Sequence, residues 1–286
     1  KRTIRELDAR GKRVFLRVDF NVPLSDGRVV DDSRIRAAVP TIEALLKAGA
    51  SVVMASHLGR PDGRVVDGLR LRPAAERLSQ FLKINVPTTG DALGVGTEDA
   101  VRRMRPGELL LLENVRFHAG EEKNDPAFAA RLAAYGDVFV NDAFGTAHRA
   151  HASVVGVAGF LPSYVGLLME REVEALSNLL DKPARPFAAI VGGGKVSGKV
   201  AVLEALVRKV DLLILGGGVA NTFLGTVAGK GTLLKSGTAA LTLSGLVTTA
   251  DNPNLTIESL SSPPGSLARH WRMSRTLWRI SSMRTR

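Results

Sequence analysis

Alternation of short apolar runs with helical patterns is the feature of this chain that most limits its fold. Strand-like runs occur at Val14–Val18, Ser51–Ala55, Glu108–Leu112 and Asp137–Val140. Helical patterns separate them, as where apolar residues recur from Ile35 to Leu46 and where a second helix opens at Pro73. Strands that alternate with helices predict a parallel, doubly wound α/β sheet.

A second α/β series follows a long helical pattern. That helix is predicted from about Tyr164 to Leu180, and Pro183 and Pro186 come after it. Two prolines that close a helix indicate a linker between domains. Strand, glycine-rich turn, helix and strand then follow from residue 187 to 215, and there the pattern stops. We therefore expect two doubly wound parallel-sheet domains joined by a long helix, with the second domain incomplete.

The chain changes character near residue 225. We expect an amino-terminal domain over residues 1–163, a helix and linker over 164–184, a partial second domain over 185–225 and a divergent basic tail over 226–286. Residues 225–286 hold eight Lys or Arg and two acidic residues, so they supply +6 of the net charge of +11. Because they lack apolar periodicity, we expect them to be poorly ordered. A flexible tail remains an alternative to a frame change or truncation, which is the favoured explanation.

Composition excludes several classes of protein. The chain has no cysteine, which excludes disulfides and thiol catalysis. No apolar run approaches the roughly 20 residues that span a bilayer, and the first residues do not resemble a secretory signal. We expect a cytoplasmic monomer with no membrane partner. Since the charge is concentrated after residue 225, it is also weak evidence for a nucleic-acid partner.

Polar side chains follow the predicted strands of the first domain. Ligands of open α/β sheets bind outside the carboxyl ends of the strands, where Asp19, Asn21, His57, Arg60, Arg116 and Arg149 are found, and Arg34 opens the helix after the first strand. Each of these residues alone is more often a surface or packing residue. Together, several arginines and histidines indicate a site for a small molecule with several negative charges. No histidine pair has metal-binding spacing, so we expect no metal held by side chains.

A glycine-rich turn forms the second candidate site. Gly192–Lys199 follows a predicted strand and opens a helix, so its N–H groups and two lysines suit a nucleotide phosphate. It nearly matches a P-loop, but Val200 stands where a Ser or Thr would bind magnesium. A tight turn with surface lysines is the alternative.

Six motifs in order resemble the phosphoglycerate kinase family over residues 1–224. They are Arg17-Val-Asp-Phe-Asn-Val-Pro23, Ser56-His-Leu-Gly-Arg-Pro61, Glu113-Asn-Val-Arg-Phe-His118, Gly145-Thr-Ala-His-Arg-Ala-His151, Gly193-Gly-Lys-Val-Ser-Gly-Lys199 and Gly216-Gly-Gly-Val-Ala-Asn-Thr-Phe-Leu224. The resemblance implies a glycolytic kinase with two Rossmann-like domains and a hinge. Such an enzyme transfers a phosphoryl group between 1,3-bisphosphoglycerate and ADP, giving 3-phosphoglycerate and ATP.

The resemblance also implies roles for individual residues. The implied contacts to 3-phosphoglycerate are Asp19, Asn21, Arg34, His57, Leu58, Gly59, Arg60, Arg116 and Arg149. The implied nucleotide contacts are Lys195, Lys199, Gly216, Gly217 and Gly218, with Mg²⁺ carried by ATP or ADP. Arg34 and Lys199 are the implied catalytic residues.

Two departures from the family leave other functions open. Gly198 stands between the lysines where the family has Asp, and the family's later nucleotide-binding motifs are not found after Leu224. A non-catalytic anion-binding remnant is therefore an alternative to the kinase. A nucleic-acid-binding protein that uses the basic tail is the weakest hypothesis, because Trp271 and Trp278 are the only aromatic residues there.

Overall fold

The computed structural model describes residues 2–193 and 199–215, together with the backbone of three short strands at 232–234, 256–261 and 276–281. The chain separates into two compact units, Lys1–Leu176 and Ser177–Arg286. No helix in the part of the chain that the structure describes has the length and apolar character needed to cross a membrane.

The first unit contains a five-stranded parallel sheet. Its strands are β1 (Arg13–Arg17), β4 (Ser51–Ala55), β5 (Leu109–Leu111), β6 (Val138–Asn141) and β7 (Ser163–Val165). The order across the sheet is β5-β4-β1-β6-β7. Strands β4 and β5 therefore lie on one side of β1, and the later strands β6 and β7 lie on the other side. A short antiparallel hairpin, β2 (Leu24–Ser25) and β3 (Arg28–Val29), follows β1.

Helices cover both faces of this sheet. They are α1 (Ser33–Lys47), α2 (Arg72–Leu82), α3 (Val95–Arg103), α4 (Ala119–Glu122) and α5 (Pro126–Ala133), while α6 (Leu167–Asp181) begins in this unit and ends in the second. Alternate residues of β1 point to opposite faces. Leu16 belongs to the core that includes residues of α1 and α2, and Phe15 belongs to the core that includes residues of α3 and α5. The prediction of a doubly wound parallel α/β fold is confirmed.

The structure differs from the sequence-based expectations at the start of α6 and in the number of strands. Helix α1 begins at Ser33, directly after the N-cap residue Asp32, and contains Pro40. Helix α6 begins at Leu167 rather than near Tyr164, because Tyr164 pairs with Val140 as part of β7. Strand β7 was missed because Ser163 and Tyr164 interrupt any apolar run there, unlike the three leucines of β5.

The second unit contains a smaller parallel sheet. Strands β8 (Ala188–Val191) and β9 (Leu212–Leu215) pair in parallel, and helix α7 (Val200–Val207) connects them in the sequence. Strand β10 (Thr232–Leu234) pairs with the other edge of β9. Leu203 of α7 packs with Leu213 and Leu215 in a small core. Strands β11 (Thr256–Ser261) and β12 (Thr276–Ser281) form an antiparallel pair. Most of the predicted tail lies outside the described residues, and its expected disorder stays a prediction.

Candidate functional site

The carboxyl end of the first unit's sheet collects the polar residues that the sequence singled out. The strand order reverses between β1 and β6: the strands that follow β1 are added on one side of it, and β6 and β7 are added on the other side. A crevice at such a switch point is where open α/β sheets bind ligands. The site is therefore built from the loops after β1, β4, β5 and β6 and from the start of α1.

An ion pair joins the loop after β1 to the first turn of α1. Arg34 Nη1 donates to Asp19 Oδ2 at 2.6 Å, while about half of the Arg34 side chain remains exposed. Gly145, from the loop after β6, lies against the same carboxylate, because a Cβ there would be 2.7 Å from Asp19 Oδ2. These residues line part of a cavity of about 290 Å³. Asp19 thus aims Arg34 without removing it from solvent.

The loop after β4 is held in place from two directions. Gly59 donates its N–H to Asn21 Oδ1 at 2.9 Å, and its carbonyl accepts from Arg116 Nη1 at 2.8 Å. Gly59 has a φ of +65°, a conformation that favours glycine. Next to it, the Leu58 carbonyl accepts from Asn114 Nδ2 at 2.8 Å. Three residues named from the sequence, Asn21, Gly59 and Arg116, therefore form one hydrogen-bonded unit.

His57 is buried beneath this unit, with 3% of its surface exposed. Its Nδ1 lies 3.2 Å from Nη2 of Arg17, a fully buried arginine at the end of β1. Burial and the positive charges of Arg17, Arg116 and Arg34 lower the pKa of His57 to about 2. The imidazole is consequently neutral at physiological pH.

The other arginines of the site influence one another. Burial lowers the pKa of Arg116, Glu122 opposes that effect from 3.1 Å, and the charges of Arg149 and Arg60 lower it further. Arg60 is exposed and Arg149 half-buried. An anion would relieve the repulsion among guanidinium groups at the open edge of the sheet, so this arrangement is suited to binding one.

A buried acidic residue supports the site from below. Glu121 accepts from the N–H of Ser153 at 2.9 Å and from its hydroxyl at 2.6 Å. The Ser153 hydroxyl also accepts from Arg17 Nε at 2.8 Å, so it links two fully buried charged groups. His151 Nδ1 is 3.7 Å from Glu121 Oε1, and burial lowers the pKa of His151.

Sequence reasoning missed the supporting residues Arg17, Glu121 and Ser153. Arg17 carried one usable signal, because it is the one charged residue in the apolar run Val14–Val18. Glu121 gave no such signal, since it stands among ordinary helix-surface residues in the sequence. Its burial depends on packing against Ser153, 32 residues later.

Two further features lie apart from the arginines. His118 pairs with Asp91 at 2.5 Å and stacks on Phe128 with ring centroids 5.1 Å apart. A cavity of about 890 Å³ lies beside β5 and α3, and it contains none of the residues that the sequence assigned to a site.

The glycine-rich turn of the second unit is described only in part. Lys199 precedes α7, and its Nζ donates to the Gly192 carbonyl at 2.7 Å. Lys195 lies outside the described residues, as do Gly216, Gly217 and Gly218. Within the described ranges, no group of three or more His, Asp or Glu residues could hold a metal ion.

Comparison with known proteins identifies the relatives of this chain. The family model for phosphoglycerate kinase matches residues 4–244. A phosphoglycerate kinase of Desulforudis audaxviator is 58% identical over 225 residues, and one of Pelotomaculum thermopropionicum is 57% identical over 224 residues. Each match covers 78% of this chain and 57% of the relative, so the chain spans little more than half the length of these proteins.

Solved structures give the same relationship. The phosphoglycerate kinase of Coxiella burnetii matches with a TM-score of 0.69 and 44% identity, over 78% of this chain and 56% of that one. The phosphoglycerate kinase of Pyrococcus horikoshii OT3 matches with a TM-score of 0.70 and 36% identity, over 77% and 56%.

Proposed function

Because the chain belongs to the phosphoglycerate kinase family, we propose that its first unit binds 3-phosphoglycerate and 1,3-bisphosphoglycerate at the arginine-rich edge of the sheet. The observation that carries this proposal is the convergence of guanidinium groups from separate loops on one neutral imidazole. A ligand with a phosphate and a carboxylate at opposite ends needs several cationic contacts spread over such a surface. The spacing of these groups across four loops supports a small, doubly anionic ligand.

We propose that the complete reaction is phosphoryl transfer from 1,3-bisphosphoglycerate to ADP, with magnesium bound to the nucleotide as part of that substrate. The nucleotide would contact Lys195, Lys199 and Gly216–Gly218 of the second unit. Phosphoryl transfer depends on positioning and positive charge rather than on a side-chain nucleophile. The acceptor oxygen is ionised in both directions, as a phosphate oxygen of ADP or as the carboxylate of 3-phosphoglycerate, so no general base is needed to remove a proton.

In this proposal, each group of the first unit has a distinct task. Arg34, aimed by Asp19 and still half exposed, would stabilise charge on the phosphoryl group during transfer. Arg60 and Arg149 would hold anionic groups of the ligand, while Arg116 both contacts ligand and fixes Gly59. Asn21 keeps the Gly59 turn in place, which maintains the shape of the pocket.

Calorimetry of the full chain with 3-phosphoglycerate tests the binding proposal. Arg149→Ala and Arg60→Ala should each remove one charge-assisted contact, which costs about 1.5–3 kcal/mol and weakens binding at least about tenfold. Arg10→Ala is the matched control, because Arg10 is exposed and precedes β1 at the opposite end of the sheet. Equal affinities in all three variants would reject the assignment.

A coupled assay for ATP made from 1,3-bisphosphoglycerate and ADP separates the kinase from the alternative of an anion-binding remnant. The kinase requires turnover that depends on magnesium and on Arg34. The remnant would bind 3-phosphoglycerate in the calorimeter and produce no ATP.

A further inference from the structure

Arg17 is a fully buried arginine that no binding role accounts for. It ends β1, and its guanidinium makes three contacts, all within the protein. Nε donates to the Ser153 hydroxyl at 2.8 Å, and Nη1 donates to the Val18 carbonyl. Nη2 lies 3.2 Å from His57 Nδ1. A side chain with no exposed surface does not contact a ligand at the open edge, so its effect on the site must pass through a neighbour.

The chemistry of the Arg17–His57 contact determines where the histidine proton lies. Guanidinium has N–H donors and no acceptor, and it does not lose its proton in proteins. His57 Nδ1 must therefore accept the hydrogen bond. A neutral imidazole that accepts at Nδ1 carries its hydrogen on Nε2, so that nitrogen is a donor.

The charges around His57 keep it neutral. The groups whose electrostatic effect acts on it are Arg17 from β1, Arg34 from α1, Arg116 from the turn after β5 and His151 from the loop after β6. All four disfavour a proton on His57, as does its burial, which is the largest cause of its lowered pKa. A doubly protonated ring would also place an N–H against Arg17.

The position of Arg17 is itself secured. Ser153 accepts from Arg17 and donates to Glu121 Oε1 at 2.6 Å, so the carboxylate balances the buried cation through one hydroxyl. The Val18 carbonyl holds a second arm of the same guanidinium. The planar fork therefore has one orientation, and Nη2 points at His57.

We propose that Arg17 is a positioning residue that fixes His57 in its neutral Nε2–H tautomer and so places one uncharged hydrogen-bond donor among the guanidinium groups of the anion site. The identity of the oxygen that accepts from Nε2, a hydroxyl or carboxylate oxygen of 3-phosphoglycerate, rests on the proposed function. The tautomer itself is a property of the free protein. A donor of this kind can bind an oxygen acceptor of the ligand without adding positive charge to the site. Its contribution to binding does not change between pH 5 and pH 8.

Nitrogen NMR of the free, full-length chain tests the proposal directly. The chain is labelled with ¹⁵N-histidine, and long-range ¹H–¹⁵N correlations are followed from pH 5 to pH 8, with His57→Gln identifying the His57 signals. We expect an unprotonated Nδ1 and a protonated Nε2 throughout this range. A protonated Nδ1, or a titration of His57 within the range, would overturn the proposal.

The role of Arg17 is tested with Arg17→Met, and Arg13→Met at the other end of β1 is the matched control. Methionine has a similar length but no N–H donor, so His57 should become a mixture of tautomers, while the control should leave its signals unchanged. Retention of a pure Nε2–H tautomer in Arg17→Met would overturn the role of Arg17. If Arg17→Met does not fold, the wild-type spectrum still decides whether His57 has the assigned tautomer, and the double variant Arg17→Met with Glu121→Gln, which removes both buried charges together, replaces it under the same criterion.

Addition of 3-phosphoglycerate separates this proposal from the proposed function. Binding to Arg17→Met should be about fivefold weaker than to wild type, the effect of losing one neutral hydrogen bond. A wild-type chain with the expected tautomer and no affinity for 3-phosphoglycerate would reject the proposed function and leave the tautomer assignment standing. Equal affinity of the wild type and a tautomerically mixed variant would overturn the donor role of His57.

Discussion

The carboxylate of Asp142 caps helix α6 by accepting a hydrogen bond at 3.0 Å from the backbone N–H of Leu168, 26 residues further along the chain. The same oxygen accepts from Met169 at 3.1 Å, and the hydroxyl of Thr41 accepts from Leu167 at 2.9 Å. The first N–H groups of a helix have no partner within the helix. Here side chains from α1 and from the loop after β6 supply those partners, so the start of α6 depends on the first unit's site loop.

Loss of this cap should loosen the start of α6. Asp142→Ala removes the acceptor for two N–H groups at a buried position, which costs about 1–3 kcal/mol. Hydrogen exchange measured by mass spectrometry should show faster exchange in peptides that contain Leu168 and Met169. Burial raises the pKa of Asp142, so the measurement is made at neutral or higher pH, which favours the ionised carboxylate.

The control for this experiment is a cap of the ordinary kind. Asp125 accepts from the N–H of Phe128 at 2.7 Å, three residues later, at the start of α5. Asp125→Ala should cost about 1 kcal/mol and leave exchange in α6 unchanged. Unchanged exchange at Leu168 in Asp142→Ala would show that the distant cap does not hold the helix.

The buried carboxylate of Glu121 should contribute to stability through its charge. Glu121→Gln keeps the shape of the side chain but loses the charge-assisted hydrogen bonds from Ser153 and leaves Arg17 without its counter-charge. We expect the first unit to lose about 1.5–3 kcal/mol of unfolding free energy. Urea-dependent hydrogen exchange of peptides from β1 measures that loss.

Glu43→Gln is the matched control, because Glu43 is exposed on α1. Its effect should stay within about 0.5 kcal/mol. If the two variants were equally stable, the charge of Glu121 would not be what stabilises the buried network.

The stability of the first unit should fall in mild acid because of His57. Its pKa is about 2 in the folded chain and near the ordinary value of 6.5 in the unfolded chain. As the pH falls below 6.5, the unfolded chain takes up a proton that the folded chain does not, so folding stability decreases. For this one residue the loss is about 2 kcal/mol between pH 7 and pH 5.

Comparison with His57→Gln isolates that contribution from other titrating groups, including His151, whose pKa is also lowered. Urea midpoints at pH 7 and pH 5 should differ more in the wild type than in the variant. Parallel pH dependence in the two proteins would contradict the neutral state assigned to His57.

Local patterns in the sequence determined the framework of the fold and the outer residues of the candidate site. The apolar runs that predict β1, β4, β5 and β6 are local, because each strand is buried on both faces and needs apolar residues throughout. Since parallel strands end at one edge, residues placed after them, such as Asp19, His57 and Arg116, could be assigned to one region without coordinates. The family motifs then assigned their roles as a proposal.

Only the tertiary structure decided which buried residues fix the positions of the side chains in the candidate site. The contact between Arg17 and His57 joins residues 40 apart, and the link from Arg17 to Ser153 spans 136 residues. The cap that Asp142 provides for α6 and the pairing of Tyr164 in β7 are likewise invisible to local periodicity. Periodicity reports which face of an element is apolar, whereas the partner of a buried polar group depends on which distant segments pack against it.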